Sequence, residues 1–269
     1  MDENMEVEIQ EEKISVEPEI LALAEKNKIV MMSNPLCPGC GSILGLKIAL
    51  QIIDNPVLVV SSGDISLFGR YKSLSVPFVH VGLNAAAAAS GIARAGGKVV
   101  VYAGDGATNI HLSSVLAAAR RKDNVLYICY NNRGYGNIQS TGNIFSTARN
   151  IEASYVATAS VSHIADYIKK LKKAAAMSGF RFIEVLCPCP AAWGYDVSNT
   201  IEVARLAVET ASWVLYEIMD DKTEITSRPP KIEPLERYIE SHSMFDKNEN
   251  EIKKLKETVN KNLKLLQKK

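Results

Sequence analysis

An aspartate flanked by two glycines stands where a buried strand is predicted to end. Residues 99–103 are apolar and mostly β-branched, which is typical of a strand buried on both faces of a parallel sheet. Gly104, Asp105 and Gly106 follow directly. Glycines at such a point let the backbone approach a diphosphate closely, and a helix that begins there presents its positive amino end to the anion.

A pair of asparagines follows the next predicted strand. Residues 125–130 are apolar, and Asn131 and Asn132 come directly after them. A helix predicted between the two strands makes a compact strand-helix-strand unit, so Asp105 and Asn132 should meet at one edge of the sheet. Their oxygens are ligands that Mg²⁺ accepts while it holds a diphosphate. The alternative is a tight turn with a solvated aspartate and a capping asparagine pair, and the two motifs together favour the metal site.

Four cysteines lie in two predicted loops. Cys37 and Cys40 stand in a loop that enters a helix, and their spacing suits a zinc or iron–sulfur half-site, a redox dithiol or two buried thiols in a turn. Cys187 and Cys189 follow a predicted strand, and the prolines after each of them stiffen that loop. The spacing alone leaves these uses open.

The composition bounds the class of protein. The chain has 269 residues and a formal net charge of +1, which argues against a dedicated nucleic-acid surface. No apolar run reaches the length of a membrane span, and the acidic amino terminus differs from a signal peptide, so we expect a cytoplasmic protein. Five cysteines in a reducing compartment favour metal or redox use over disulfides.

The pattern of apolar residues predicts an α/β fold, a mostly parallel sheet with helices on both faces. We predict an acidic mobile tail over 1–28, one domain over 29–245 and a Lys-rich amphipathic helix over 246–269. Within the domain, further buried strands are predicted at 57–61, 78–81 and 180–186, and helices at 161–177, with exposed lysines, and at 201–219.

The order of these motifs resembles a known family. The Gly-Asp-Gly run at 104–106 and the Asn pair at 131–132 resemble the two ends of a thiamine diphosphate motif. Together with the runs at 37–41, 135–140 and 187–194, they resemble the β subunit of the 2-oxoacid:ferredoxin oxidoreductases, most of all its pyruvate-specific branch. The similarity extends over most of the chain, and several motifs in the expected order are far more specific than any one alone.

The resemblance implies a thiamine diphosphate-binding fold with three cofactors: thiamine diphosphate, Mg²⁺ and a [4Fe–4S] cluster. Mg²⁺ would be held by Asp105, Asn132 and the carbonyl of Gly134. Asn137 would face the thiazolium ring or the substrate carboxylate. The remaining implied positions are contacts to thiamine diphosphate at Gly104, Gly106, Cys40 and Gly41, and cluster ligands at Cys37, Cys40 and Cys189.

One position departs from the family pattern. Asp64 stands where the cluster-bearing members have a cysteine. The fourth cluster ligand could therefore be the Asp64 carboxylate, a harder ligand than sulfur, or Cys187 could move in. The cluster could also be degraded or absent.

The implied reaction is oxidative decarboxylation of a 2-oxoacid to acyl-CoA and CO₂, with electrons passing through the cluster to ferredoxin. The chain would be half an active site, because the glutamate that contacts the aminopyrimidine comes from the partner α subunit in the family, and γ and δ subunits usually join them. One alternative is a non-oxidative thiamine diphosphate-dependent 2-oxoacid decarboxylase or acetolactate-synthase-like subunit without a cluster, which Asp64 favours and the cysteines oppose. Another is a non-catalytic assembly subunit.

Overall fold

The structure is a computed structural model, and it describes residues 36–67, 76–135, 138–139, 152–245 and 248–267. The helices are α1 Gly41–Ile52, α2 Ala85–Arg94, α3 Asp105–Ile110, α4 Leu112–Arg120, α5 Ile164–Ala176, α6 Pro190–Trp193, α7 Thr200–Glu209, α8 Leu235–Glu240 and α9 Glu249–Leu266. The strands are β1 Val57–Val60, β2 Phe78–His80, β3 Val99–Gly104, β4 Val125–Asn131, β5 Gly134–Tyr135, β6 Ile138–Gln139, β7 Tyr155–Ser160, β8 Arg181–Leu186, β9 Leu215–Met219 and β10 Lys222–Ser227. In these residues no helix has the length and apolar character needed to cross a membrane.

Eight of these strands form one sheet in the order β10-β9-β7-β8-β4-β3-β1-β2. The strands from β7 to β2 pair in parallel, whereas β9 is antiparallel to both of its neighbours. Parallel strands that alternate with helices define the α/β class, so the predicted fold class is confirmed.

Helices cover both faces of the sheet. Along β3, Val100 and Tyr102 point into one apolar core with α1 and α5, while Val101 and Ala103 point into the opposite core with α2 and α4. All residues of β3 and β4 are buried, which explains their unbroken apolar runs. Because these strands are parallel and in register, with Gly104 opposite Tyr130, their carboxyl ends lie together at one edge.

A third apolar cluster holds the C-terminal helix. Leu255 and Val259 of α9 are buried in this cluster with Trp193, Trp213 and Tyr238. The apolar stripe of α9 therefore packs on the core of its own chain, and its lysines lie on the outer side.

The prediction of one long helix over 201–219 is wrong. The helix α7 ends at Glu209, and Ala211 adopts a left-handed backbone with φ of 57°. The apolar residues that follow form β9, which turns into β10 through Asp220 and Asp221, both with positive φ. Positive φ at two central turn residues is the geometry of a tight hairpin, and aspartate tolerates it better than most residues.

Three further expectations need correction. The helix predicted over 161–177 exists as α5, but its Lys170 is buried, with only 1% of its surface exposed. The ammonium group is satisfied there because it donates to Asp166, to the carbonyl of Thr158 and to Thr226. The strand predicted as buried at 78–81 is the edge strand β2, and its residues are exposed or half-buried. The helix after the Gly-Asp-Gly run is interrupted at His111 between α3 and α4.

Candidate functional site

A cavity of about 440 Å³ opens at the carboxyl ends of β1, β3 and β4. Its walls come from the loops that follow these strands and from the start of α3 and the end of the 187–193 segment. The residues that line it are Ser62, Gly63, Asp64, Leu83, Gly104, Asp105, Gly106, Ala107, Ile110, Tyr130, Asn132, Cys189 and Ala192. This edge of a parallel sheet is where ligands bind in open α/β folds.

Asp105 is the first residue of α3 and is only 3% exposed. Burial raises the pKa of its carboxyl group to about 7, although backbone N–H groups of Gly106, Asp105 itself and Asn132 donate to it and oppose the rise. The charge of Asp64 raises this pKa further. An acid in such a place needs either a proton or a cation to satisfy it.

Asn132 is brought against Asp105, as predicted. Its backbone N–H donates to the Asp105 carboxylate, and its carbonyl accepts a hydrogen bond of 2.5 Å from the indole Nε1 of Trp193. Trp193 is 1% exposed and packs in the third apolar cluster. Gly134 follows Asn132 by two residues, lies in β5 and pairs with Gln139 of β6. Asn137 lies outside the described residues.

Two glycines allow the close packing at the cavity wall. A Cβ atom on Gly104 would lie 3.1 Å from the ring of Tyr130, and one on Gly63 would lie 2.7 Å from the hydroxyl of Tyr130. Gly63 also has φ of 146°, which side chains rarely adopt. The ring of Tyr130 stacks on Tyr102 with 5.1 Å between the ring centroids, so the wall behind the two glycines is a pair of stacked aromatic rings.

The donor set at the cavity suits Mg²⁺ and a diphosphate. Mg²⁺ prefers carboxylate, amide and carbonyl oxygens and is commonly bound by one or two carboxylates together with substrate phosphates. Asp105 supplies a buried carboxylate with no ion pair in the part of the chain that the structure describes. A divalent cation would offset the cost of burying that charge.

One of the predicted cluster thiols lines the same cavity, and the other two influence the electrostatics around it. Cys189 lines it at the N-cap position of α6, and Cys40 occupies the N-cap position of α1. Burial raises the pKa of both thiols, and Asp64 is among the charges that raise them further. Cys37 is exposed, and its charge also acts on Cys189. The charges of Cys37 and Asp64 therefore act on Cys189, and those of Cys189 and Asp64 act on Cys40.

Within the described ranges, no three His, Cys, Asp or Glu side chains converge closely enough to hold a single metal ion. A [4Fe–4S] cluster distributes its ligands over four irons, so its thiolates need not converge as those of one ion do. The soft sulfurs of Cys37, Cys40 and Cys189 fit such a cluster by donor chemistry, with Asp64 on the cavity wall. Cys187 is fully buried behind the cavity near Tyr102.

Gly41 joins the two cysteine loops. Its N–H donates to the carbonyl of Pro188 at 3.1 Å, and a Cβ atom there would lie 2.7 to 2.9 Å from backbone atoms of Cys187 and Pro188. We expect Gly41→Ala to destabilise the protein by roughly 1–3 kcal/mol, because two backbones must separate. Thermal unfolding measures this.

The matched control for Gly41→Ala is Gly91→Ala. Gly91 is an exposed residue inside α2, and nothing lies within 4 Å of a Cβ atom there. The control should be neutral or stabilise the protein by up to about 1 kcal/mol. Equal unfolding temperatures for the two variants would contradict the close approach at Gly41.

Three residues that shape the site were not predicted to do so from the sequence. Tyr130 forms the wall behind the glycines, Trp193 holds the Asn132 carbonyl, and Glu184 accepts a hydrogen bond from Asn131 beneath the loop. The one available signal was a glutamate in the middle of the apolar run 180–186, which is unusual for a buried strand.

Comparison with known proteins relates the chain to thiamine diphosphate enzymes. Residues 77–185 match the family of thiamine pyrophosphate enzymes, C-terminal TPP binding domain. The chain is 36% identical to the pyruvate synthase subunit PorB of Methanothermobacter marburgensis, over 78% of this chain and 86% of that one. It is 31% identical to the ketoisovalerate oxidoreductase subunit VorB of Pyrococcus abyssi, over 78% and 82% of the two chains.

Among solved structures, a 2-oxoglutarate:ferredoxin oxidoreductase from Magnetococcus marinus shares the fold. It has a TM-score of 0.51 and 21% identity, and the match covers 64% of this chain and 77% of that one. The resemblance inferred from the motifs is therefore confirmed. The chain belongs to the family of the PorB subunits of pyruvate synthase, a family of thiamine diphosphate-dependent oxidoreductase subunits.

Proposed function

We propose that this chain is the β subunit of a thiamine diphosphate-dependent 2-oxoacid:ferredoxin oxidoreductase and that its substrate is pyruvate. The observation that carries the proposal is the buried Asp105 carboxylate, which meets the Asn132 backbone at a cavity that Cys189 also lines. The names of the relatives support the reaction class, and most of those relatives are pyruvate synthase subunits.

Asp105, Asn132 and the carbonyl of Gly134 would hold Mg²⁺, and through it the diphosphate. Gly104 and Gly106 keep side chains away from that point, and the amino end of α3, which begins at Asp105, would favour the negative charge of the diphosphate. Cys40 and Gly41, at the start of α1, would contact the cofactor. When bound, thiamine diphosphate supplies the nucleophilic carbon and the electron sink for decarboxylation of the 2-oxoacid. The chain's task is to bind and orient it.

We further propose that a [4Fe–4S] cluster is held by Cys37, Cys40 and Cys189, with the Asp64 carboxylate as the fourth ligand. Such a cluster carries single electrons, which suits oxidation with ferredoxin as the acceptor. Cys40 and Cys189 each stand at the N-cap of a helix, and the nearby backbone groups lower their thiol pKa values and so favour the thiolates. Asn137 is assigned to the substrate side of the site.

The site is completed by a partner subunit in this proposal. Leu83 and Ile110 line the cavity and are 46% and 45% exposed, so its rim is an apolar surface suited to a protein partner. We assign that place to an α subunit, which would bring the glutamate for the aminopyrimidine. Further γ and δ subunits, ferredoxin and CoA complete the proposed system.

The proposal is tested by purifying the full-length chain with its co-expressed partner subunits and titrating thiamine diphosphate by calorimetry with and without Mg²⁺. Tight binding that requires Mg²⁺ is expected. Because Asp64 replaces a thiolate, a second candidate is non-oxidative decarboxylation. This candidate predicts the same binding, but with free aldehyde as the product and no reduced acceptor.

The pH dependence of Mg²⁺ binding follows from Asp105. Its carboxyl pKa of about 7 lies above the ordinary value of 3.8, so at pH 6 the cation must displace a proton and at pH 8 it need not. We expect Mg²⁺ affinity, measured with saturating thiamine diphosphate, to rise by roughly tenfold from pH 6 to pH 8. Without Mg²⁺, the contribution of Asp105 to stability should fall as the pH rises from 4 to 7, because this acid ionises at a lower pH in the unfolded chain than in the folded one. A Mg²⁺ affinity that does not change with pH would contradict this role of Asp105.

A further inference from the structure

Glu184 is a fully buried carboxylate in the centre of the sheet. It lies in β8 between Ile183 and Val185, and all three are 0% exposed. One carboxylate oxygen, Oε1, accepts a hydrogen bond of 2.6 Å from the amide of Asn131, while Oε2 has no partner in the described part of the chain. An acid in such a place costs stability that an apolar residue would not, so packing alone does not explain it.

The side chain of Asn131 links Glu184 to the loop that follows β4. Its side-chain oxygen accepts the backbone N–H of Arg133 at 2.8 Å, so the amide of one residue ties Glu184 to the far side of Asn132. Asn131 is itself only 4% exposed and does not line the cavity. Asn131 therefore supports the loop from beneath, whereas Asn132 lines the cavity.

Arg133 is held firmly at its other end. Its guanidinium donates to the carbonyl of Ser212 at 3.1 Å and lies over the rings of Trp213 and Tyr238, at 5.8 and 5.9 Å. Its backbone has φ of 51°, a left-handed conformation that costs energy in a residue with a side chain. The loop is thus fixed on both sides of Asn132.

We propose that Glu184 is a positioning residue for the cation and diphosphate site, acting through Asn131 and Arg133 to hold Asn132 against Asp105. This inference rests on the proposed function. Glu184 does not line the cavity, and among the described residues the hydrogen-bond partner of its carboxylate is Asn131. It holds the side chain of Asn131 in the one orientation that lets its oxygen accept the N–H of Arg133.

The test compares Glu184→Ala, Glu184→Gln and Asn131→Ala in the full-length chain with its partner subunits. The readout is the Mg²⁺ concentration for half-maximal binding of thiamine diphosphate, with thermal unfolding of the cofactor-free protein as a separate measure. We expect Glu184→Ala to weaken Mg²⁺ by roughly 10- to 100-fold, as loss of an outer-shell partner does. The Glu184→Gln variant should keep most of the wild-type Mg²⁺ affinity, because its side-chain oxygen can still accept the hydrogen bond from Asn131.

Glu217→Ala is the matched control. Glu217 is 7% exposed in β9, accepts a hydrogen bond from Tyr155 at 2.6 Å and does not line the cavity. The Glu217→Ala variant should lower the unfolding temperature and leave Mg²⁺ affinity unchanged. The double variant of Glu184 and Asn131 should bind Mg²⁺ no more weakly than the weaker single variant, since both break one chain of contacts.

The outcomes separate this inference from the function. A wild-type complex that binds no thiamine diphosphate would refute the proposed function itself. With wild-type binding intact, unchanged affinity in both Glu184→Ala and Asn131→Ala would overturn the positioning role. The positioning role would also be overturned if Glu184→Gln bound Mg²⁺ as weakly as Glu184→Ala. An equal loss of Mg²⁺ affinity in Glu217→Ala and Glu184→Ala would overturn it too.

Discussion

Asp105→Asn is expected to abolish Mg²⁺-dependent binding of thiamine diphosphate at ordinary cofactor concentrations. The amide keeps the size of the side chain but removes the one buried negative charge on the cavity floor, and its NH₂ group would face the cation. Loss of outer-shell partners already costs roughly 10- to 100-fold in metal affinity, so loss of this direct ligand should cost at least about 100-fold. Calorimetry with saturating Mg²⁺ measures the effect.

Asp123→Asn is the control for this variant. Asp123 is also buried, at 7% exposure, but it pairs with Arg94 and Arg121 away from the cavity. Its replacement should lower stability and leave cofactor affinity unchanged. The Asp105→Asn variant should instead gain stability in the absence of cofactor, because the desolvation cost of the charge disappears. Cofactor affinity retained in Asp105→Asn would remove Asp105 from the metal site.

Cys189→Ala is expected to lose the iron–sulfur cluster and, with it, electron transfer to ferredoxin. Three thiols leave no spare sulfur in the proposed ligand set, so loss of one should leave an unstable site. We expect a loss of about four irons per chain relative to wild type after anaerobic purification, with thiamine diphosphate still bound. Iron and acid-labile sulfide analysis on the purified complex measures this.

Cys129→Ala provides the comparison for the cysteine experiment. Cys129 is fully buried inside β4, and its thiol pKa is raised by burial, as befits an inert thiol. This variant should keep all its iron. Asp64→Cys should retain iron at least as well as wild type when exposed to air, because thiolate suits iron better than a carboxylate does. Equal iron in Cys189→Ala and wild type would refute the cluster assignment.

The sequence was sufficient to predict the centre of the fold and the position of Asp105 relative to Asn132. Strands β3 and β4 are buried on both faces, so their apolar runs are unbroken and their ends are marked by polar residues. Parallel strands bring such ends to one edge, which made the meeting of Asp105 and Asn132 predictable without coordinates.

Other features depend on contacts between distant parts of the chain. The periodicity of residues 201–219 continued past Glu209, and only the packing of Trp213 and Leu215 in the third apolar cluster, together with the hairpin at Asp220, makes the second half a strand. The bond from Glu184 to Asn131 joins residues 53 positions apart. No local pattern encodes a contact of that separation.

The most direct test of the function is an anaerobic assay of the complete wild-type complex with pyruvate, CoA and oxidised ferredoxin. We predict that CO₂, acetyl-CoA and reduced ferredoxin are formed, with two electrons transferred for each CO₂ and a requirement for both thiamine diphosphate and Mg²⁺. Release of CO₂ with free acetaldehyde and no reduced ferredoxin would contradict it and would identify the chain as a subunit of a non-oxidative decarboxylase.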